Sequence, residues 1–256
     1  MSRHALVTGG SAGLGLAAAG ALAGAGCRLT LVARNPARLD AARARLVAAH
    51  AGIEISVLSC DLEDAGSVET LIASLRGDAP DIVVHVAGGP RLCAPGDEDN
   101  EEFRRQLQSH SLSLVCMMQA FAPAMQERGF GRFIAIMSRA LAEPRADNPL
   151  SAAIRLPAWA MMKSYSRSRA FSKVTFNALL PGLFDTDRFH EVCVTLAELE
   201  RITVDEARQK FLAAIPAGRL GDPEEMGALV AVIASEKAGY INGQRIAIDG
   251  GSSTAI

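Results

Sequence analysis

The 256-residue chain is poor in aromatic residues, 5% in all, with two tyrosines and one tryptophan. It also lacks an excess of either charge, since 26 Lys+Arg face 28 Asp+Glu for a formal net charge of -2. That balance excludes a strongly basic nucleic-acid binder and an acidic solvating tail. No stretch approaches the run of about 18 apolar residues that a membrane-spanning helix needs. The start, Arg3-His4-Ala5-Leu6-Val7-Thr8, runs at once into a glycine-rich turn, without the long apolar region and cleavage site of a signal peptide. The five cysteines (Cys27, Cys60, Cys93, Cys116, Cys193) form no CxxC pair. An odd, scattered set reads as free thiols in a reducing compartment, with neither a disulfide framework nor a metal site. The expectation is a cytoplasmic protein that binds neither nucleic acid nor membrane.

What is present is globular in composition, 49% hydrophobic and 21% charged. Short apolar runs at 5–8, 28–33, 53–59, 81–86, 131–137, 174–180 and 245–248 read as strands. Helical patterns at 14–25, 36–50, 65–75, 101–128 and 151–168 separate most of them. Such alternation predicts an α/β fold, a Rossmann-like doubly wound parallel sheet forming a single domain over 1–256. A nucleotide is then expected at the carboxyl edge of the sheet, where the strand order reverses. Residues 183–216 interrupt the alternation. They include Thr203-Val-Asp-Glu206, a capping box, and Asp222-Pro223-Glu224-Glu225 opens the helix that follows. An insertion at the ligand edge reads as a substrate lid.

The first strand ends in Thr8-Gly9-Gly10-Ser11-Ala12-Gly13-Leu14-Gly15. Glycines at this spacing let the backbone turn tightly and approach a diphosphate, whose charge meets the helix N-terminus. In this motif the chain resembles the short-chain dehydrogenase/reductase family. Further matches follow in order: Asp61-Leu62, Ala87-Gly88, Gly131-Arg132 leading to Ser138, Asn177 to Pro181-Gly182, Thr186, and a tail through Tyr240, Gly243 and Asp249-Gly-Gly251. The resemblance spans nearly the whole chain. It implies that Gly9, Ser11, Gly13, Leu14 and Gly15 cradle a dinucleotide and that Asp61 and Leu62 meet its adenine. It likewise implies that Ala87 and Gly88 line the ribose, and that Pro181, Gly182 and Thr186 adjoin the nicotinamide. The end of the second strand carries Ala33 in place of an acid, then Arg34. A guanidinium there meets a 2′-phosphate, which favours NADP(H) over NAD(H). Ala12 stands where many NADP-users of this family carry a second basic residue.

The catalytic pattern departs from the resemblance. The family uses a Ser, a Tyr-x-x-x-Lys and a helix Asn, and Ser138 fits the serine. Counting on from Ser138, and back from Asn177 and Pro181, puts Ser151 at the Tyr position and Arg155 at the Lys position. His110 falls at the Asn position. Neither tyrosine is followed by Lys at the required spacing, and the first lysine of the chain is Lys163. Tyr165, with Arg169 four residues on, lies beyond Ser151 on the same expected helix by roughly 20 Å at 1.5 Å per residue. It reads as packing or interface.

These replacements remove the usual proton donor, because a serine hydroxyl has no pKa near neutrality and arginine stays protonated. Ser151 and Arg155, at i,i+4, are expected to share a helix face. Arg155 then donates to the cofactor ribose, or clamps a substrate carboxylate or phosphate. His110 has a reference pKa suited to acid/base work; the alternative is a helix histidine bonded to a backbone carbonyl. His85 reads as a strand histidine with a satisfied imidazole. Glu143, Arg145 and Asp147 lie on a segment that either reaches the pocket or is solvated. Met161, Met162, Phe184, Phe189 and Phe211 form either an apolar lid wall or ordinary core.

The expected function is NADP(H)-dependent interconversion of a carbonyl and an alcohol, on a small-molecule substrate that is anionic or acyl-carrier-linked. Ser138 would orient the substrate, and His110 or water would supply the proton. The Ser and Arg replacements resemble a subgroup labelled 3-oxoacyl-carrier-protein reductase-like. Two alternatives stand beside this one: a lyase, dehydratase or isomerase acting on an anionic substrate, and a catalytically inactive cofactor-binding subunit. By the same resemblance, the helices at 101–128 and 151–168 would assemble a homodimer or homotetramer.

Overall fold

The computed structural model describes residues 2–90, 93, 95–146 and 148–255. Its first three strands, β1 (His4–Thr8), β2 (Arg28–Ala33) and β3 (Ile55–Ser59), step outward from the middle of the sheet. The chain then returns to lay β4 (Ile82–Val86) on the other side of β1, followed by β5 (Gly131–Ile136), β6 (Val174–Pro181) and β7 (Arg245–Ile248). The order is β3-β2-β1-β4-β5-β6-β7, and every pairing is parallel. This is the Rossmann-like doubly wound sheet, with its switch point between β1 and β4. Thr8 closes that point: its Oγ1 donates to Val86 O (2.9 Å) and accepts from Val86 N (2.8 Å).

Helices cover both faces: α1 (Gly13–Gly24), α2 (Pro36–Ala49), α3 (Ala65–Ser74), α4 (Asn100–Leu107), α5 (Ser113–Glu127), α6 (Pro149–Ala153), α7 (Leu156–Ser166), α8 (Asp187–Glu200), α9 (Val204–Ala213) and α10 (Pro223–Ala234). One core gathers Met117, Phe121, Phe133 and Phe176; the other gathers Leu22, Leu31, Val230 and Ile233. Burial on both sides explains why the central strands are apolar without alternation. The run of Ala and Gly in α1 has a packing reason: a Cβ on Gly227 of α10 would stand 2.6 Å from Ala17 O. Helices α8 and α9 hold a third, smaller cluster of Phe189, Cys193, Ala207 and Ile215, where Phe189 meets Phe211 edge-on at 5.6 Å. Phe184 and Met162 belong to the two main cores.

Two expected helices are interrupted, and each break has a cause. The 101–128 stretch contains a π-helical turn, Gln108–Leu112, between α4 and α5. Ser113 N reaches back to Gln108 O, which frees the Ser109 carbonyl from its usual helical partner. Ser113 Oγ takes that carbonyl at 2.6 Å and itself meets His85 Nε2 at 2.9 Å. The 151–168 stretch is not one helix either. Pro157 has no N–H for the Ala153 carbonyl, so α6 ends at Ala153 and α7 begins at Leu156, with Arg155 as its N-cap residue. The helical i,i+4 face expected for Ser151 and Arg155 is therefore absent, and the axial distance from Ser151 to Tyr165 along a single helix does not apply. Tyr165 stacks on Phe171 at 5.0 Å and meets Phe176 edge-on at 5.5 Å, a packing role.

Burial holds His85 neutral, with its pKa lowered from 6.5 to about 4. A depressed histidine pKa means that the unfolded chain takes up the proton first, so this stability is present above pH 6.5 and is lost as pH falls toward 4. Urea unfolding should show about 2 kcal/mol less stability at pH 5 than at pH 7.5 from His85 alone. In His85→Asn that pH-dependent part should disappear; an unchanged slope would refute the assignment.

Candidate active site

The glycine-rich turn is built for a close ligand. Gly9 and Gly13 adopt φ of 62° and 52°, which side chains disfavour. A Cβ on Gly15 would sit 2.2 Å from Gly9 O, so the turn can fold back onto α1 only with glycine there. Helix α1 begins after Ala12 with no side-chain cap and no acid in its first turn. Its first N–H groups are left to whatever binds above them, and their dipole favours an anion. The residues present therefore fit a dinucleotide diphosphate.

Beside the turn lies a cavity of about 310 Å³. Its walls bring together Gly9, Ser11, Arg34, Asp61, Leu62, Ala87 and Gly88. Asp61 is held by its own turn, its Oδ1 accepting from Glu63 N at 3.0 Å and its N donating to Ser67 Oγ at 3.0 Å. Thr186 caps α8 by accepting from Phe189 N and packs toward Gly13, where a Cβ would meet its Cγ2 at 3.6 Å. Leu14 opens α1. Pro181 and Gly182 end β6, and Gly182 lies so close to Asp249 that a Cβ would stand 2.7 Å from its Cα. Arg38 also lines the cavity. It supplies a second basic group where the glycine-rich turn has Ala12, entering from the first turn of α2, one turn beyond Arg34. Its Nη2 stands 3.5 Å from Asp187 Oδ2 at the start of α8.

A second constellation sits at the ends of β4 and β5. Arg155 Nη1 donates to Ser151 Oγ at 2.9 Å and to Ser151 O at 2.8 Å. Ser151 Oγ donates to Ser138 Oγ at 3.2 Å, and Ser138 Oγ also accepts from Ala140 N at 3.1 Å. Each proton in the series thus points one step toward Ser138. With two donors on its oxygen, Ser138 has its own hydroxyl proton left to give. The broken helix still brings Ser151 and Arg155 together, through a guanidinium that folds back over α6.

The electrostatics are unusual. Arg155 is 5% exposed, and among the described residues it forms no ion pair. Burial and the neighbouring Arg188 lower its pKa to about 10. Its Nε finds no hydrogen-bond partner among the described residues. His110, at the π turn, bonds through Nε2 to Gly88 O at 2.5 Å. Burial first, then the Arg155 cation, hold its pKa well below 6.5. The imidazole is neutral near pH 7 and its ring proton is engaged by a carbonyl, which argues against its service as the proton donor. His85 is neutral for the same reasons.

Glu143 turns to the C-terminal tail, accepting from Ser253 Oγ and Thr254 Oγ1. Arg145 lines a cavity of about 870 Å³ beneath α8 and α9, with Arg139, Leu183, Leu196, Phe211 and Ile215. Asp147 lies outside the described residues. No helix among the described residues is long and apolar enough to cross a membrane.

Comparison with known proteins gives a consistent result. A sequence profile described as enoyl-(acyl carrier protein) reductase matches residues 9–253. The NADPH-dependent reductase BacG of Bacillus subtilis (strain 168) is 29% identical over 99% of both chains. The 3-oxoacyl-[acyl-carrier-protein] reductase FabG of Escherichia coli (strain K12) is 30% identical over 96% of both. Among solved structures, a short chain oxidoreductase of Pseudomonas aeruginosa PAO1, bound to NADPH and described as containing an atypical catalytic center, is 28% identical. It superposes with a TM-score of 0.86 over 99% of this chain and 98% of its own. With the parallel sheet, the glycine turn and these matches along nearly its entire length, the chain belongs to the short-chain dehydrogenase/reductase family.

Proposed function

We propose that this protein is an NADP(H)-dependent reductase of carbonyl compounds in which a polarised series, Arg155 to Ser151 to Ser138, replaces a tyrosine–lysine pair. The observation that carries this reading is the common direction of those hydrogen bonds, which leaves one free proton on Ser138. The cofactor, when bound, supplies the hydride. The chain's own residues do the rest. The uncapped N-terminus of α1 and the Gly9–Gly13 turn take the diphosphate. Arg34, with Arg38 one turn on, meets a 2′-phosphate in the 310 Å³ cavity. The NADPH recorded for BacG and for the Pseudomonas protein supports this preference.

Ser138 donates to the substrate carbonyl oxygen and stabilises the negative charge that grows there as the carbonyl carbon accepts hydride. The proton that completes the alcohol leaves Ser138 Oγ. Ser151 Oγ restores it, while Arg155 Nη1, which keeps its proton, holds Ser151 Oγ in place and favours the negative charge passing along the series; solvent entering the crevice returns the proton. His110 holds the Gly88 carbonyl, and so the floor under the cofactor, without giving up a proton. Segment 183–216 acts as a lid over the 870 Å³ cavity, which holds the substrate body. Its mixture of leucines, Phe211 and the cations Arg139 and Arg145 suits an acyl-type substrate with a polar end.

Titration followed by nicotinamide fluorescence should show tighter binding of NADPH than of NADH. Arg34→Asp should weaken NADPH binding by about ten- to a hundredfold while sparing NADH. Equal affinities in the wild type would sink the cofactor assignment. Ser138→Ala should lower kcat about a hundredfold with NADPH affinity unchanged. The rate should also show no break between pH 6 and 9, because burial keeps His110 neutral and Arg155 stays charged there. A rate that breaks near pH 6.5 would return the acid role to a histidine.

A further inference from the structure

The break between α6 and α7 falls on Arg155, and it is not left open. In an uninterrupted helix the Ile154 carbonyl would accept directly from the Ala158 N–H, four residues on. Here the hydroxyl of Ser111, from the π turn, stands between them. Ser111 Oγ donates to Ile154 O at 2.6 Å and accepts from Ala158 N at 3.1 Å. One hydroxyl thus closes the C-terminal end of α6 and caps the third residue of α7, on both sides of Arg155. Ser111 is fully buried, so water cannot take over either bond. The π turn is what makes this reach available: its wider winding brings Ser109, His110 and Ser111 all inside, where each is less than one-tenth exposed. His110 then grips Gly88, while Ser111 grips the break.

We propose that Ser111 is the positioning residue of Arg155. By standing in for the missing backbone bond it keeps the helix open by the amount that lets the guanidinium fold back onto Ser151 O and Oγ. Pro157 leaves the Ala153 carbonyl without its backbone donor, and Ser111, bonded to the next pair along, fixes the resulting gap at one geometry. Among the described residues the guanidinium has no acid partner, so hydrogen bonds define its place, and loosening the break disorders the first link of the Arg155–Ser151–Ser138 series. The inference rests on the reductase reading for its kinetic consequence, but its structural content is independent of that reading.

The test is a double-mutant cycle on the full chain with Ser111→Ala, Arg155→Met and the pair. It is read by kcat with NADPH and a ketone panel, and by the ¹⁵N-labelled arginine Nε–H resonance that disappears in Arg155→Met. The wild-type resonance should be sharp and slow to exchange with solvent. Ser111→Ala should speed that exchange at least about tenfold and lower kcat about tenfold, yet change kcat less than about twofold once Arg155 is methionine. Ser111→Cys, near in volume but a weak hydrogen-bonding group, should give an intermediate exchange rate and serves if the alanine variant fails to fold. An unmoved Arg155 resonance in Ser111→Ala, or an equal loss of kcat in both backgrounds, would overturn the proposal. If the wild type reduces no carbonyl, the reductase reading falls and the resonance alone decides the role of Ser111.

Discussion

A buried guanidinium, Arg155, with no carboxylate partner among the described residues, sets the terms for this half of the molecule. Removing such a charge from water costs several kcal/mol unless hydrogen bonds replace the lost hydration. Arg155 receives that replacement from the carbonyl and hydroxyl of Ser151. The consequences spread outward from there. A cation in the core keeps nearby imidazoles neutral, and both His85 and His110 are pushed toward the neutral form partly by Arg155. Neutral imidazoles in turn need polar partners, which they find in Ser113 and in the Gly88 carbonyl. Ser109, His110, Ser111, Ser113 and Ser151 thus form a buried polar seam beside Arg155.

How much of this is legible in the sequence depends on the kind of pattern involved. The alternation of short apolar runs with helical stretches is a long-range regularity, and it identifies the parallel sheet and its switch point. The cradle was readable because glycine at Gly9, Gly13 and Gly15 answers to backbone geometry that other residues cannot adopt. The positions of Ser138, Ser151 and Arg155 could be counted, and the structure brings all three into one hydrogen-bonded series. Their mutual geometry could not be counted. Pro157 was visible two residues after Arg155, yet a proline early in a helix is compatible both with a fresh start and with a kink. The π turn left no local mark, since its cause is a set of serine and histidine contacts made across the core. For the same reason Ser111 carried no signal: its partners, Ile154 and Ala158, are more than forty residues away. The neutrality of His110 also depends on burial, which periodicity alone does not report.

The two ends of the crevice are bound to each other less tightly than either is to the sheet. Thr8 fixes the switch point through two hydrogen bonds to Val86 inside the sheet. By contrast, the start of α8 reaches the cofactor side through the exposed pair of Arg38 with Asp187 and a half-buried bond from Arg188 Nη2 to the Pro90 carbonyl at 2.8 Å. Exposed ion pairs of this kind are worth at most about 1 kcal/mol. The small separate core of α8 and α9 lets that pair of helices keep its own packing while these contacts are exchanged. A turn fixed in the sheet beside a helical pair with its own small core is the arrangement that the proposed lid would use.

Local preference and global pattern agree almost everywhere in this chain, which is what a well-determined fold requires. They disagree at a few neighbouring places: a π turn in a long helix, a helix broken beside a buried arginine, and, among the described residues, a cation without an acid. Each taken alone is a cost. Taken together they share partners, because the π turn supplies Ser111 to the break, the break supplies Arg155 to Ser151, and Ser151 supplies its proton direction to Ser138. Departures that were merely tolerated would be scattered over the molecule, each absorbed by its own surroundings. Departures that interlock around one hydroxyl are what the proposed Arg155–Ser151–Ser138 series would require of the fold.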